Sequence, residues 1–246
     1  MGRPGAPATY PSPVAPPALP RLLDQLSDLL AQMCTEAATN LRGATTGLLD
    51  GRLRLAEKIA VGDGTMRALH AGVENVATDA LLFHAPVAGD LRRVVAAIRS
   101  SDDLERMGVL ARHVAEAAVR HGPVCGVPEP VRPVFAEMGR VGAALAHKAA
   151  EVVRTRNVLL AIELDHDDET MDALHARAYA VLMDRPWAAG VPAAVDVALL
   201  ARYYERFADH AVLIAEETVT EVTGRRTHDL AELLGVDLAE LSGDVG

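Results

Sequence analysis

From Leu22 onward the apolar positions fall at helical spacing. Leu22, Leu23, Leu26, Leu29, Leu30 and Met33 recur three and four residues apart, the period that lines one face of an α-helix. This first helix starts near Arg21 and runs to about Leu49, with Asp50–Gly51 as its stop. A second helical stretch follows from Arg52 to about Phe83, weakened around Gly62–Asp63–Gly64. Pro86 opens a third, long helix. Leu91, Val94, Val95, Ile98, Met107, Ala111 and Val114 form one apolar stripe along it, as far as His121–Gly122–Pro123.

The second half repeats the design. One helix spans Val131 to about Arg156, and another spans Leu159 to about Met183 with a break expected near Asp165–His166–Asp167. Asp184–Arg185–Pro186 closes it. Val197, Leu200, Ala201, Tyr204, Phe207, Ala208, Ala211, Ile214 and Ala215 mark the last long helix, stopped at Gly224. No stretch shows the sustained alternation of a strand. The expected fold is all-α: two tandem three-helix bundles related by an internal pseudo-repeat. The expected boundaries are a disordered Pro-rich arm over 1–20, bundles over 21–122 and 123–224, and a tail over 225–246. The arm holds seven of the fourteen prolines. Leu230, Leu233, Leu234 and Leu238 place a short amphipathic helix in the tail.

The repeat is visible residue by residue. Asp103–Leu104–Glu105–Arg106–Met107–Gly108–Val109 answers Tyr203–Tyr204–Glu205–Arg206–Phe207–Ala208–Asp209. Upstream, Asp63, Met66, Arg67 and Leu69 answer Asp168, Met171, Asp172 and Leu174. Glu105 to Glu205 is an offset of 100 and Asp63 to Asp168 an offset of 105, so a connecting loop absorbs five residues between the paired segments.

Composition narrows the function classes. The 246 residues suffice for one large domain or two small ones. Half are hydrophobic but only 3% aromatic, a balance of Ala, Leu and Val that suits closely packed helices. A net charge of −10 argues against nucleic-acid binding. Cys34 and Cys125 are too few for a disulfide framework or a thiolate metal site. No apolar run approaches the ~18–20 residues that span a bilayer, and no basic-then-apolar start marks a secretory signal. The expected location is cytoplasmic, with membranes reached only through partners.

The candidate chemistry is acidic. Residues four apart share a helix face. Asp168 with Asp172, and Glu205 with Asp209, form such pairs on the second and third helices of one bundle. If those helices are neighbours, four carboxylates converge and require a basic group or a metal ion to neutralise them. Oxygen donors of this kind suit Mg, Mn, Ca or Fe better than Zn or Cu. In the first bundle Asp63 and Glu105 are retained, but their i+4 partners are Arg67 and Val109. That site is expected to be weakened or absent. The bland alternative is a solvated helix face, as the mixed charges Arg92, Arg93, Arg99, Asp102, Asp103, Arg106 and Arg112 suggest for the helix Asp90 to Arg120.

With Asp90–Leu91–Arg92 and Leu104–Glu105–Arg106–Met107–Gly108 in the first copy, and Tyr203 to His210 followed by Val222–Thr223–Gly224 in the second, the chain resembles the PhoU family of phosphate-signalling proteins, especially actinobacterial members. The resemblance covers roughly residues 21 to 224. It implies two three-helix bundles, often a dimer, and a role in phosphate homeostasis. Family members couple a phosphate-specific ABC transporter to a membrane sensor histidine kinase and hold the phosphate-starvation response off when phosphate is plentiful. The implied partners are therefore the transporter ATPase, the kinase and a second copy of the chain. Several relatives bind metal through Glu/Asp-x-x-x-Asp motifs. Carried over, these positions are Glu205 with Asp209 and Asp168 with Asp172, and more weakly Glu105 and Asp63. The implied cofactor is a divalent or iron-type ion: Mg, Mn, Fe or Zn.

Other classes stay open. One is a metal-binding helical scaffold, a paralogue without a role in phosphate control. A carboxylate-bridged metal enzyme needs Glu-x-x-His on each of two helices, and only Glu163 to His166 matches. His113 and His210 lie near the acidic motifs and are expected at the surface or behind the ligands, with ligation open to His210. Tyr203, Tyr204, Phe207 and Trp187, half of the eight aromatic residues, fall in the last repeat and are expected in the core, with a share at a partner interface. No nucleophile–base arrangement, phosphate loop or dinucleotide fingerprint occurs. The expectation is a protein that is not an enzyme.

Overall fold

The structure, a computed structural model, describes residues 17–62, 64–122, 126–184 and 187–225. The expectations placed on Asp63, Cys125, most of the proline-rich arm and the tail helix lie outside the described residues. Seven α-helices follow in order: α1 (Leu19–Asp50), α2 (Leu53–Val61), α3 (Thr65–His84), α4 (Ala88–His121), α5 (Arg132–Thr155), α6 (Val158–Met183) and α7 (Gly190–Thr223). A short 3-10 turn, Glu129–Val131, precedes α5. No strand occurs among the described residues, and the protein is all-α as its periodicity predicts.

Glycine sets the punctuation where a left-handed backbone is needed. Gly51 (φ 66°) ends α1 and Gly224 (φ 71°) ends α7. Gly62 (φ 72°) and Gly64 (φ 83°) do more than weaken the second stretch. They divide it into α2 and α3. The opposite holds at Asp165–His166–Asp167, where α6 runs unbroken from Val158 to Met183. That segment contains neither Gly nor Pro. Leu164 and Met171, seven residues apart and fully buried, anchor one face across it. On the outer face Lys148 of α5 holds Asp167 at 2.8 Å and Glu163 at 3.2 Å. Partial burial works against the Lys148 charge, but the two carboxylates outweigh it and raise its pKa. Asn157 caps the helix, its side-chain oxygen accepting from the amides of Leu159 and Leu160.

The packing gives two three-helix bundles side by side. In the first, the split pair α2 and α3 serves as the middle helix and packs on α1 and α4; in the second, α6 packs on α5 and α7. The bundles join through α1 against α5 and α4 against α7, so these four helices form a central layer flanked by α2 and α3 on one side and α6 on the other. One continuous core runs through both halves and includes Leu41, Met107, Phe135, Met138, Met171 and Phe207, all fully buried. Each such side chain contributes about 1.5–3 kcal/mol of transfer free energy.

Between α1 and α5 the backbones approach closely. A Cβ on Gly139 would lie 2.5 Å from Thr45 Oγ1, and one on Gly142 would lie 2.7 Å from Leu41 Cδ2. Thr45 Oγ1 donates to the Leu41 carbonyl and shares a 2.8 Å hydrogen bond with the Tyr204 hydroxyl. Tyr204 stacks on Phe135 with ring centroids 5.8 Å apart. Burial pushes the Tyr204 pKa well above its ordinary value, so this hydroxyl stays protonated.

On the charged side of α4, Arg92, Arg99, Asp102 and Arg106 are exposed as a solvated face requires, but some of the charges also reach other helices. Arg93 pairs with Asp24 of α1 at 3.2 Å and with Glu221 of α7 at 3.6 Å, Arg99 with Glu217 at 3.4 Å, and His121 with Asp196 at 3.2 Å. The pairs climb α7 as they descend α4, which makes the two helices antiparallel. Part of the mixed charge thus belongs to the contact between repeats. Two expected stripe positions, Leu91 and Val95, four apart on one face of α4, are instead 40% and 38% exposed, whereas Val94 between them is fully buried.

Candidate functional site

Two helices build the acidic site. Asp168 and Asp172 lie one turn apart on α6; Glu205 and Asp209 lie one turn apart on α7. Since α6 packs on α7, the four carboxyls are near enough to repel one another. Asp168 shows it most. Its pKa is pushed up to about 7, first by burial and then by the charges of Asp172, Asp209, Asp165 and Glu205. Burial also raises Glu205, with Asp209 adding to the rise and Arg202 and His175 opposing it. Burial raises Asp209 too, against Arg202 and with Asp172.

The site is under-satisfied. Asp168 Oδ1, Glu205 Oε2 and His175 Nε2 are buried atoms without a hydrogen-bond partner. Arg202 bonds the other carboxylate oxygen of Glu205 and neutralises part of the charge. Among the described residues no three His, Cys, Asp or Glu groups stand at a common point as metal ligands. By donor chemistry the set fits a hard cation: carboxylate oxygens in excess, two of them orphaned, with one imidazole nitrogen beside them.

His175 and Asp165 belong to this cluster and were missed by pattern reading. The signal was present: His175 lies three residues after Asp172 and seven after Asp168, on the same helical face. His210 is not a surface residue. It is 6% exposed, and its Nδ1 lies 3.1 Å from Asp103 Oδ1 on α4. His113 is part-exposed, pairs with Glu116 at 3.1 Å and lies against the Tyr203 ring at 5.1 Å. Tyr204 and Phe207 are core residues as expected, whereas Tyr203 and Trp187 are only partly buried. Glu163 and His166 do not form a metal-enzyme pair: Glu163 binds Lys148 and His166 lies 3.3 Å from Glu169.

The equivalent place in the first repeat has the opposite character. Glu105 is exposed on α4 and borders a cavity of about 620 Å³ together with Arg67, Arg112 and Met66. Arg67 stands where the second repeat has Asp172, and Val109 where it has Asp209. Asp63 lies outside the described residues. The described residues bring the second-repeat candidates onto two packed helices and, of the first-repeat pair, place only Glu105.

Comparison with known proteins gives the family. The family model for the PhoU domain matches residues 30–118 and again 135–218. The chain is 46% identical over 192 residues to the phosphate-specific transport system accessory protein PhoU homolog 2 of Mycobacterium tuberculosis, covering 78% of this chain and 90% of that protein. It is 44% identical to PhoU homolog 1 of Mycobacterium leprae, covering 80% and 89%. The fold is shared with the crystal structure of PhoU from Pseudomonas aeruginosa, at a TM-score of 0.75 and 22% identity over 85% of this chain and all of that one. Two domain matches over most of the helical chain, with relatives at this identity, place the chain in the PhoU family.

Proposed function

We propose that this protein is a regulator of phosphate uptake and signalling, acting in the cytoplasm as an adaptor between the ATPase of a phosphate-specific ABC transporter and a sensor histidine kinase. It represses the starvation response when phosphate is plentiful, and it does so by binding, without catalysis of its own. The observation that carries this reading is the 46% identity, over 90% of its length, to a relative named as a phosphate-specific transport system accessory protein.

Several features support an adaptor. None of the described helices is long and apolar enough to cross a membrane. Large apolar side chains are nevertheless exposed at the equivalent connection of each repeat. Leu82 and Phe83 at the end of α3 and Val87 just before α4 form one set, and Met183 at the end of α6 and Val191 at the start of α7 the other. Exposed apolar residues of this kind suit contact with partner proteins, including a second copy in a homodimer. A ligand state is transmitted only by unequal affinity for two states; here the states are the transporter's.

The acidic site takes a divalent or iron-type cation in this reading, held by Asp168, Asp172, Glu205 and Asp209. A bound cation would offset the mutual repulsion and supply a partner for the orphaned oxygens of Asp168 and Glu205. Deleting the gene in its own host and following a phosphate-starvation promoter tests the function. Expression in high phosphate, silenced again by the wild-type chain, is expected. A promoter that stays silent in the deletion strain favours the scaffold paralogue, which the altered first repeat also suits.

A further inference from the structure

The cavity of the first repeat has a cause in the chain. Gly62 and Gly64 divide the middle helix, and the resulting α2 and α3 stand apart over α1 and α4. The space left is about 620 Å³. In the second repeat the middle helix is continuous, and Asp172 stands where the first repeat has Arg67.

Charge in this cavity runs against the rest of the molecule. Among the described residues Arg42, Arg52, Lys58, Arg67 and Arg112 line it, against two carboxylates, Glu36 and Glu105. The whole chain carries −10. Arg52 makes one weak pair, 4.0 Å from Asp50. Arg42, Lys58, Arg67 and Arg112 form no ion pair with any described residue. Asn40 donates to Glu36 Oε1 at 3.0 Å and occupies one of the two carboxylates. Cations gathered in a concave site reinforce each other's potential and concentrate anions there. Guanidinium groups are also the side chains best shaped for phosphoryl oxygens.

We propose that this first-repeat cavity is a binding site for a small anion carrying two or more phosphoryl groups, of nucleotide or oligophosphate size. One phosphoryl group neither fills such a volume nor engages cations contributed by α1, α2, α3 and α4 together. The size lies in the ordinary range of small-molecule sites. Leu55, Ile59 and Met66 give the cavity an apolar wall against which a nucleoside portion can lie. The site is separate from the acidic cluster and does not rest on the adaptor reading.

Calorimetric titration of the full, chelator-treated chain with ATP and with inorganic tripolyphosphate tests it, with orthophosphate as the comparison. Saturable binding of at least one polyphosphorylated probe, tighter than orthophosphate and weakened by salt, is expected. Binding of tripolyphosphate as well as ATP assigns recognition to the phosphoryl groups; binding of ATP alone adds the apolar wall. Arg67→Glu and Arg112→Glu should each weaken it about tenfold or more, while Arg177→Glu, the same charge change at an exposed position of α6, leaves it unchanged. Melting curves establish that each variant is folded. No binding of either probe, orthophosphate binding equally well, or affinity untouched in folded Arg67→Glu and Arg112→Glu overturns the proposal. Self-association that these two variants abolish, without probe binding, also overturns it and assigns the cations to an acidic surface of a second copy.

Discussion

His210 Nδ1 lies 3.1 Å from Asp103 Oδ1, so the duplicated motif of one repeat is bonded directly to the duplicated motif of the other. Asp103 sits two residues before Glu105, and His210 directly follows Asp209. The bond therefore ties α4 to α7 at the height of both sites. Since the imidazole is buried, truncating its partner leaves a ring nitrogen unsatisfied. Asp103→Ala is expected to cost about 1–3 kcal/mol, read as a lower denaturation midpoint at unchanged slope. His210→Ala and the double variant complete the cycle, and a coupling near zero would show the contact to be incidental.

The α1–α5 seam gives a second prediction. Gly139→Ala should destabilise by about 1–3 kcal/mol, although alanine is the better helix former, because the new methyl group meets Thr45 at 2.5–2.6 Å. Thr45 cannot rotate away freely while its hydroxyl is bonded to Tyr204. Gly72→Ala is the contrast. Its methyl group reaches Leu29 at an ordinary 3.5 Å, so it should be neutral or gain roughly 0.5–1 kcal/mol. Thermal melts of the two variants must move in different directions or by clearly different amounts.

Asp168 gives stability a pH signature in metal-free protein. Its carboxyl is pushed up to about 7 from an ordinary 3.8 by burial and by Asp172, Asp209, Asp165 and Glu205. The folded chain thus keeps a proton that the unfolded chain has released. The contribution is fully present below the unfolded pKa and is lost as pH rises toward about 7. Asp168→Asn removes that loss. It should be more stable than wild type at about pH 8, by on the order of 1–2 kcal/mol once water's access to the carboxyl is allowed for. Near about pH 4 the advantage should vanish. An equal difference at both pH values would point to packing instead of charge.

Much of this was legible in the chain. Helical spacing located the long helices, Gly51 and Gly224 marked two of their ends, and the duplicated motif showed the two-bundle plan. The failures share a cause. At Asp165–His166–Asp167 three polar residues in a row read as a break, yet their support comes from Lys148 on another helix. On α4 the mixed charge is exposed as expected at Arg92, Arg99, Asp102 and Arg106, but the partners of Arg93 and Arg99, namely Asp24, Glu217 and Glu221, come from α1 and α7. Local sequence cannot show a partner distant in the chain. The acidic pairs were legible because both lie one turn apart on single helices. His175 was legible in principle, whereas the cationic cavity depends on four helices meeting and on a break whose full extent two glycines decide.

Occupancy of the acidic site can be measured directly. Manganese added to chelator-treated protein is expected to raise the melting temperature of the wild type and to release protons near neutral pH, as Asp168 gives up its own. Glu205→Ala and Asp209→Ala should lose most of that shift while keeping their helix content. Full retention of the shift in both variants would remove these residues as ligands.

The central claim is that the chain works by binding a phosphate transporter and a kinase. Its most direct test is recovery of partners on tagged full-length chain from cells grown in high phosphate and from starved cells. The account predicts that the transporter ATPase and the sensor histidine kinase are recovered in high phosphate and reduced on starvation. Absence of both partners in both conditions, with the chain folded and abundant, would contradict it.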